Sequence, residues 1–100
     1  MLIVAGTVKT EPGDLAKVKD AAIAMMAATR TEDGCIEYEF SEVIGEPGTM
    51  RIFEKWESWD HLRAHFEVAH MDVWREAMKA VTVVERSISV YDQIGDIQQL

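Results

Sequence analysis

The sequence predicts an α+β domain of the ferredoxin-like kind: a four-stranded antiparallel sheet with its helices on one face, in the order βαββααβ. Three observations predict it. Period-two alternation occurs four times, once at each end and twice in the middle. Apolar spacings of three and four fall between the first and second of these segments and between the third and fourth. Turn residues sit at the junctions, and mixed elements without strict βα alternation pack as an antiparallel sheet with segregated helices.

Each element has its own warrant. Leu2 to Lys9 alternates Leu2, Val4, Gly6 and Val8 against Ile3, Ala5, Thr7 and Lys9, a strand apolar on both faces at its start. Glu11-Pro-Gly-Asp14 is a turn leading into a helix N-terminus. Leu15, Val18, Ala22, Met25 and Thr29 then recur at helical spacing, and Thr31-Glu-Asp-Gly34 closes that helix. Cys35 to Val43 reads as the second strand, with Ile36, Tyr38 and Phe40 on one face and Glu37, Glu39 and Ser41 on the other. Gly45-Glu-Pro-Gly48 connects it to the third strand, Met50 to Glu57. Ser58 supplies an N-cap oxygen for a helix to about Val68, with Asp60 in its first turn. A further helix from about Met71 to Ala80 is expected to bury Val73, Trp74 and Ala77. Thr82 to Tyr91 is β-branched and forms the fourth strand. The chain is therefore read as one domain over 1–100, with a core of about 2–91 and a tail, 92–100. That tail keeps Ile94, Ile97 and Leu100 at spacing three and is expected to dock.

Bulk properties exclude several function classes. The net charge is −8 and the acidic residues are spread along the chain, a surface that repels phosphate backbones, so no nucleic-acid partner is expected. The apolar runs are far shorter than the roughly 20 residues of a membrane span. Met1-Leu-Ile-Val-Ala enters a strand pattern without a basic leader, and one cysteine forms no internal disulfide, so a cytoplasmic location is expected. Small size and a helix-free sheet face that still carries apolar residues, Phe53 among them, predict a homodimer packed sheet to sheet.

The chemistry concentrates in the run from Arg51 to His70. On the third strand Ile52, Glu54 and Trp56 share a face. On the following helix Trp59, Leu62, Phe66 and Ala69 form the sheet-facing arc. His65 sits at its edge, His61 towards solvent, and His70 back on the arc if the helix continues. One seam thus receives a carboxylate, indoles and imidazoles beside apolar groups, the composition of a lined pocket. His65 and His70 either border that pocket or serve as boundary and core histidines. Glu54 must be paired or protonated when buried, and beside a histidine it would fix one tautomer. Trp56, Trp74 and Tyr38 either wall the pocket or pack the core. His61-x-x-x-His65 with Glu57 has a metal-compatible spacing, but no cysteine cluster or H-E-x-x-H pattern accompanies it, and no metal is expected. Cys35 has no basic neighbour to make it reactive and reads as a small buried hydrophobe. The sequence carries no nucleophile elbow, phosphate loop or dinucleotide fingerprint.

Phe53-x-Glu54-x-Trp56-x-Ser58 followed by His65 and His70, together with Gly34-Cys35-x-x-Tyr38 upstream, resembles the antibiotic biosynthesis monooxygenase (ABM) domain family over roughly Leu2 to Tyr91. The resemblance implies a homodimer of the dimeric α/β-barrel type. It also implies oxidation of an electron-rich aromatic substrate by dioxygen without a prosthetic group. In that reading His65 is the base, His70 stands second, Glu54 orients, and Trp56, Trp74, Tyr38 and Phe66 contact the substrate. Two departures narrow it. Ala5, Gly6 and Thr7 stand where haem-degrading members carry a first-strand asparagine, and His65 stands at their helix tryptophan. Ile52 stands where anthrone-oxidising members carry an asparagine. The competing readings are a non-catalytic small-ligand-binding or stress-related dimer, and an isomerase of a small metabolite.

Overall fold

The computed structural model describes residues 1–100. Strands β1 (Leu2–Thr10), β2 (Cys35–Glu42), β3 (Thr49–Trp56) and β4 (Val83–Tyr91) form one antiparallel sheet in the order β2-β3-β1-β4. Helices α1 (Asp14–Lys17), α2 (Lys19–Thr29), α3 (Trp59–His65) and α4 (Ala69–Ala77), with a short 3-10 turn at Met78–Ala80, provide the second layer. The predicted order and sheet are as observed. The one long helix expected before β2 is instead two, because Val18 leaves helical geometry at φ −114°.

The alternation decides the layers. Leu2, Val4 and Val8 of β1 and Met50, Ile52, Glu54 and Trp56 of β3 turn inward beneath the helices. Phe53 lies on the opposite, helix-free face, half-buried with the Lys55 ammonium 5.9 Å from its ring centre. Gly6 is required by close approach: a Cβ there would meet the Ser87 carbonyl oxygen and Ile88 Cα of the neighbouring strand. On β2, Tyr38 and Phe40 point inward as expected, but Ile36 is exposed. The register slips between Cys35 and Glu37, so Ile36 falls in a bulge that removes it from the alternation.

Two further expectations are corrected. Val73 is 66% exposed, because α4 begins at Ala69 and its phase turns Trp74 inward and Val73 to solvent. His70 belongs to α4 rather than to α3, which ends at His65. At the tail, the Trp59 indole donates to Asp92 at 2.6 Å and the Ile94 N–H to the Met1 carbonyl at 3.2 Å, while Ile97 and Leu100 are exposed. No helix is long and apolar enough to cross a membrane.

The helices cover β2, β3 and much of β1 but leave the inner face of β4 open, where Val83 and Val90 remain exposed. Between that open face and α4 lies the site.

Candidate functional site

A cleft of about 500 Å³ opens there, lined mostly by apolar side chains from β1, β3, β4 and α4. The polar groups on its wall are Tyr38, Glu54, His65, Arg75 and Arg86. A second groove, of about 450 Å³ between α2 and β2, carries neither histidine nor a buried carboxylate.

The order of elements places the histidines. Ser58 caps α3 by accepting from the His61 N–H at 3.3 Å, which fixes the helix phase. The turn Phe66–Val68 follows and α4 begins at once, so the last residue of α3 and the second of α4 converge. They converge on Glu32, from the turn between α2 and β2: its Oε2 lies 2.8 Å from His65 Nδ1 and 2.8 Å from His70 Nε2. Exposure rises along the trio, with side chains 1% exposed at His65, 12% at Glu32 and 27% at His70.

This arrangement sets the tautomers. A carboxylate only accepts, so His65 donates through Nδ1–H and His70 through Nε2–H. His65 Nε2 is left with no protein partner on a residue that lines the cleft. Burial pulls the His65 pKa below its usual value against the opposing pull of Glu32, which keeps the ring neutral at pH 7. A neutral imidazole with one nitrogen held by a carboxylate, on a residue that lines an apolar cleft, is the arrangement of a general base.

Glu54 does not orient a histidine, contrary to expectation. It accepts from the Trp56 indole N–H at 2.8 Å, and Glu32 takes the orienting position instead. Burial pushes the Glu54 carboxyl up to about 7, so near neutrality it exists as both acid and carboxylate. Trp56 also sits elsewhere than expected. It is fully buried and absent from the cleft wall, packing its ring 4.8 Å from that of His65 and so backing the imidazole. Trp74 and Phe66 do line the cleft, Trp74 stacked on Phe40 at 5.0 Å. Tyr38 lines it too, 5.4 Å from the His65 ring, with burial raising its phenol above the usual range. Cys35 is pushed up to about 11 by burial and stays a thiol.

The three donor atoms of Glu32, His65 and His70 lie within 4.8 Å of one another, so these side chains are the ones able to hold a metal ion. The two nitrogens nearest Glu32 already donate to it, and a metal would have to displace both protons. His61 takes no part: its Nδ1 meets Ser58 Oγ at 2.7 Å and its Nε2 lies 3.4 Å from Asp33.

The Glu54 shift makes stability depend on pH. A folded pKa raised from 4.5 to about 7 contributes stability that is full below pH 4.5 and lost as pH rises through about 7. His65 acts in the opposite sense, its contribution full above 6.5 and lost as pH falls. Melting temperature should therefore fall more steeply between about pH 4.5 and 7 for wild type than for Glu54→Gln. Parallel curves would show that Glu54 ionises freely in the folded chain.

Fold and site together define a ferredoxin-like domain with an apolar cleft walled by a carboxylate-held imidazole. The chain belongs to the antibiotic biosynthesis monooxygenase family, which it matches over residues 1–77. It is 29% identical over 102 residues to the "Probable quinol monooxygenase YgiN" of Escherichia coli K12, covering 90% of this chain and 95% of that protein. It is 27% identical over 70 residues to the "Putative monooxygenase YcnE" of Bacillus subtilis, covering 70% and 74%. The crystal structure of a "putative antibiotic biosynthesis monooxygenase" from Deinococcus radiodurans superposes with a TM-score of 0.86 at 27% identity, over 100% of this chain and 99% of that one. Family and relatives support a monooxygenase-like function.

Proposed function

We propose that this chain is a cytoplasmic, homodimeric, cofactor-independent monooxygenase or quinol oxidase that uses dioxygen on a small electron-rich aromatic substrate. The observation that carries the reading is the pairing of Glu32 with His65 Nδ1 at 2.8 Å at the wall of an apolar cleft.

The substrate itself supplies the electrons. His65 Nε2 takes the phenolic proton, and Glu32 steadies the resulting imidazolium. The phenolate transfers an electron to dioxygen, and recombination at a ring carbon forms a C–O bond. Protonated Glu54 gives its proton to the peroxide, then as carboxylate removes the ring C–H proton while the O–O bond breaks. The departing hydroxide takes the proton held by His65, leaving as water. For 1-naphthol the balance is naphthol plus O₂ to 1,4-naphthoquinone plus water, and both residues return to their starting states. The apolar wall keeps bulk water from quenching the anion.

The test is oxygen uptake by metal- and flavin-free protein with 1-naphthol or a hydroquinone. A rate above the uncatalysed one, with quinone formed, is expected. If no naphthol, quinol or anthrone is turned over, the domain is a ligand-binding dimer instead. The dimer has its own test. Ile3, Ala5, Phe53 and Tyr91 form the apolar part of the helix-free face. Sedimentation at micromolar concentration should give twice the mass of one chain, reduced to one by Phe53→Glu; a monomeric wild type would overturn the homodimer.

A further inference from the structure

We propose that the cleft selects a carboxylate-bearing fused aromatic, a hydroxylated aromatic acid, with Arg86 of β4 holding the carboxylate. This rests on the monooxygenase reading for its chemistry, and the binding site stands on separate observations. The chain has ten lysines and arginines, and seven of them form ion pairs: Lys9, Lys17, Arg30, Lys55, Arg63, Arg75 and Lys79. Arg86 is one of the three that do not, in a chain whose net charge of −8 offers carboxylates widely. It is also the one of those three that lines the cleft holding His65 and Glu54. Arg75 lines the facing wall, but its guanidinium is already engaged by Asp72 at 3.0 Å and by the Phe66 carbonyl at 3.0 Å. The free fork is that of Arg86.

Register gives the size of the ligand. Arg86 pairs with Val8, and Val8 with Met50, while Glu54 pairs with Val4, four residues along β1 from Val8. With β1 between the two strands, strand spacing and rise put the Arg86 and Glu54 backbones about 16 Å apart. An arginine stem and a two- or three-ring aromatic fill that span together. One end of such a molecule meets the His65 and Glu54 end of the cleft, and the other meets the guanidinium. A planar fork matches a carboxylate in two parallel hydrogen bonds, and a single negative charge suffers less from the acidic chain than a phosphate dianion would.

The experiment compares 5-hydroxy-2-naphthoate, whose carboxylate sits on the ring away from the hydroxyl, with 1-naphthol, each titrated against the intact protein by quenching of tryptophan fluorescence, Trp74 being in the cleft wall. A charge-assisted bidentate contact should give wild type about a tenfold or greater preference for the acid. Arg86→Gln should bring that ratio close to one, and Arg86→Lys should restore part of it. A wild type without preference for the acid overturns the proposal, as does an Arg86→Gln protein that keeps it. Acid-selective binding without turnover would retire the monooxygenase reading while leaving the carboxylate site in place. Turnover of naphthol without acid selectivity would do the reverse.

Discussion

His65→Ala is expected to lower naphthol-dependent oxygen uptake by about 10²-fold or more, the usual contribution of a positioned general base. The expectation follows from His65 alone placing an imidazole nitrogen without a protein partner on the cleft wall, held from behind by Glu32 at 2.8 Å. Glu32→Gln should also slow the reaction, and it carries a signature that a merely structural residue would lack. Glu32 raises the His65 pKa against burial, so its removal lowers that pKa further. The base works only when deprotonated, and activity rises as pH climbs through its pKa. The rising limb of the pH–rate profile should therefore move to lower pH in Glu32→Gln. His70→Gln should cost less, since His70 meets the same Glu32 oxygen from the more exposed side and is absent from the cleft wall. Unchanged turnover in a folded His65→Ala protein would remove His65 from the chemistry.

The fold was legible in the residues because its elements are regular. Alternation in β1 and β3 placed Ile52, Glu54 and Trp56 under the helices, where they are buried. The errors fall where local pattern competes with something non-local. Ile36 follows the alternation of β2 in sequence but sits in a bulge created by pairing with β3. Val73 looks apolar enough for a core, yet the phase of α4 is set by where α3 ends. The histidines were legible as a pair because both follow the strand motif closely. The carboxylate that organises them was not. Glu32 lies 33 residues from His65 and 38 from His70, in a turn where acidic residues are commonly solvated, and only the tertiary fold brings it beneath both rings. Glu54, being mid-strand and inward, attracted the orienting role. Its partner proved to be the nearest inward donor on its own strand, two residues away.

Trp56→Ala should be the most damaging single change to stability, at about 3–5 kcal/mol, the range for truncating a buried large aromatic. Against total stabilities of about 5–15 kcal/mol, that leaves little margin. For a domain near this size each kcal/mol lowers the melting temperature by about 4–8 °C, so a drop on the order of 10 °C or more is expected. Three losses coincide. Trp56 is 0% exposed, so its removal opens a cavity at the sheet–helix seam. Its ring backs His65 at 4.8 Å. Its indole N–H is the hydrogen-bond donor to Glu54. Trp56→Phe separates these effects, keeping most of the buried ring while deleting the donor. That donor holds the Glu54 pKa down against burial, so without it the carboxyl should titrate above about 7. In Trp56→Phe, the Glu54-dependent fall in melting temperature should accordingly move to higher pH, with a smaller loss of stability than in Trp56→Ala. A Trp56→Ala protein that melts within a few degrees of wild type would contradict the cavity argument. A Trp56→Phe protein with an unmoved pH midpoint would show that the indole N–H does not govern Glu54.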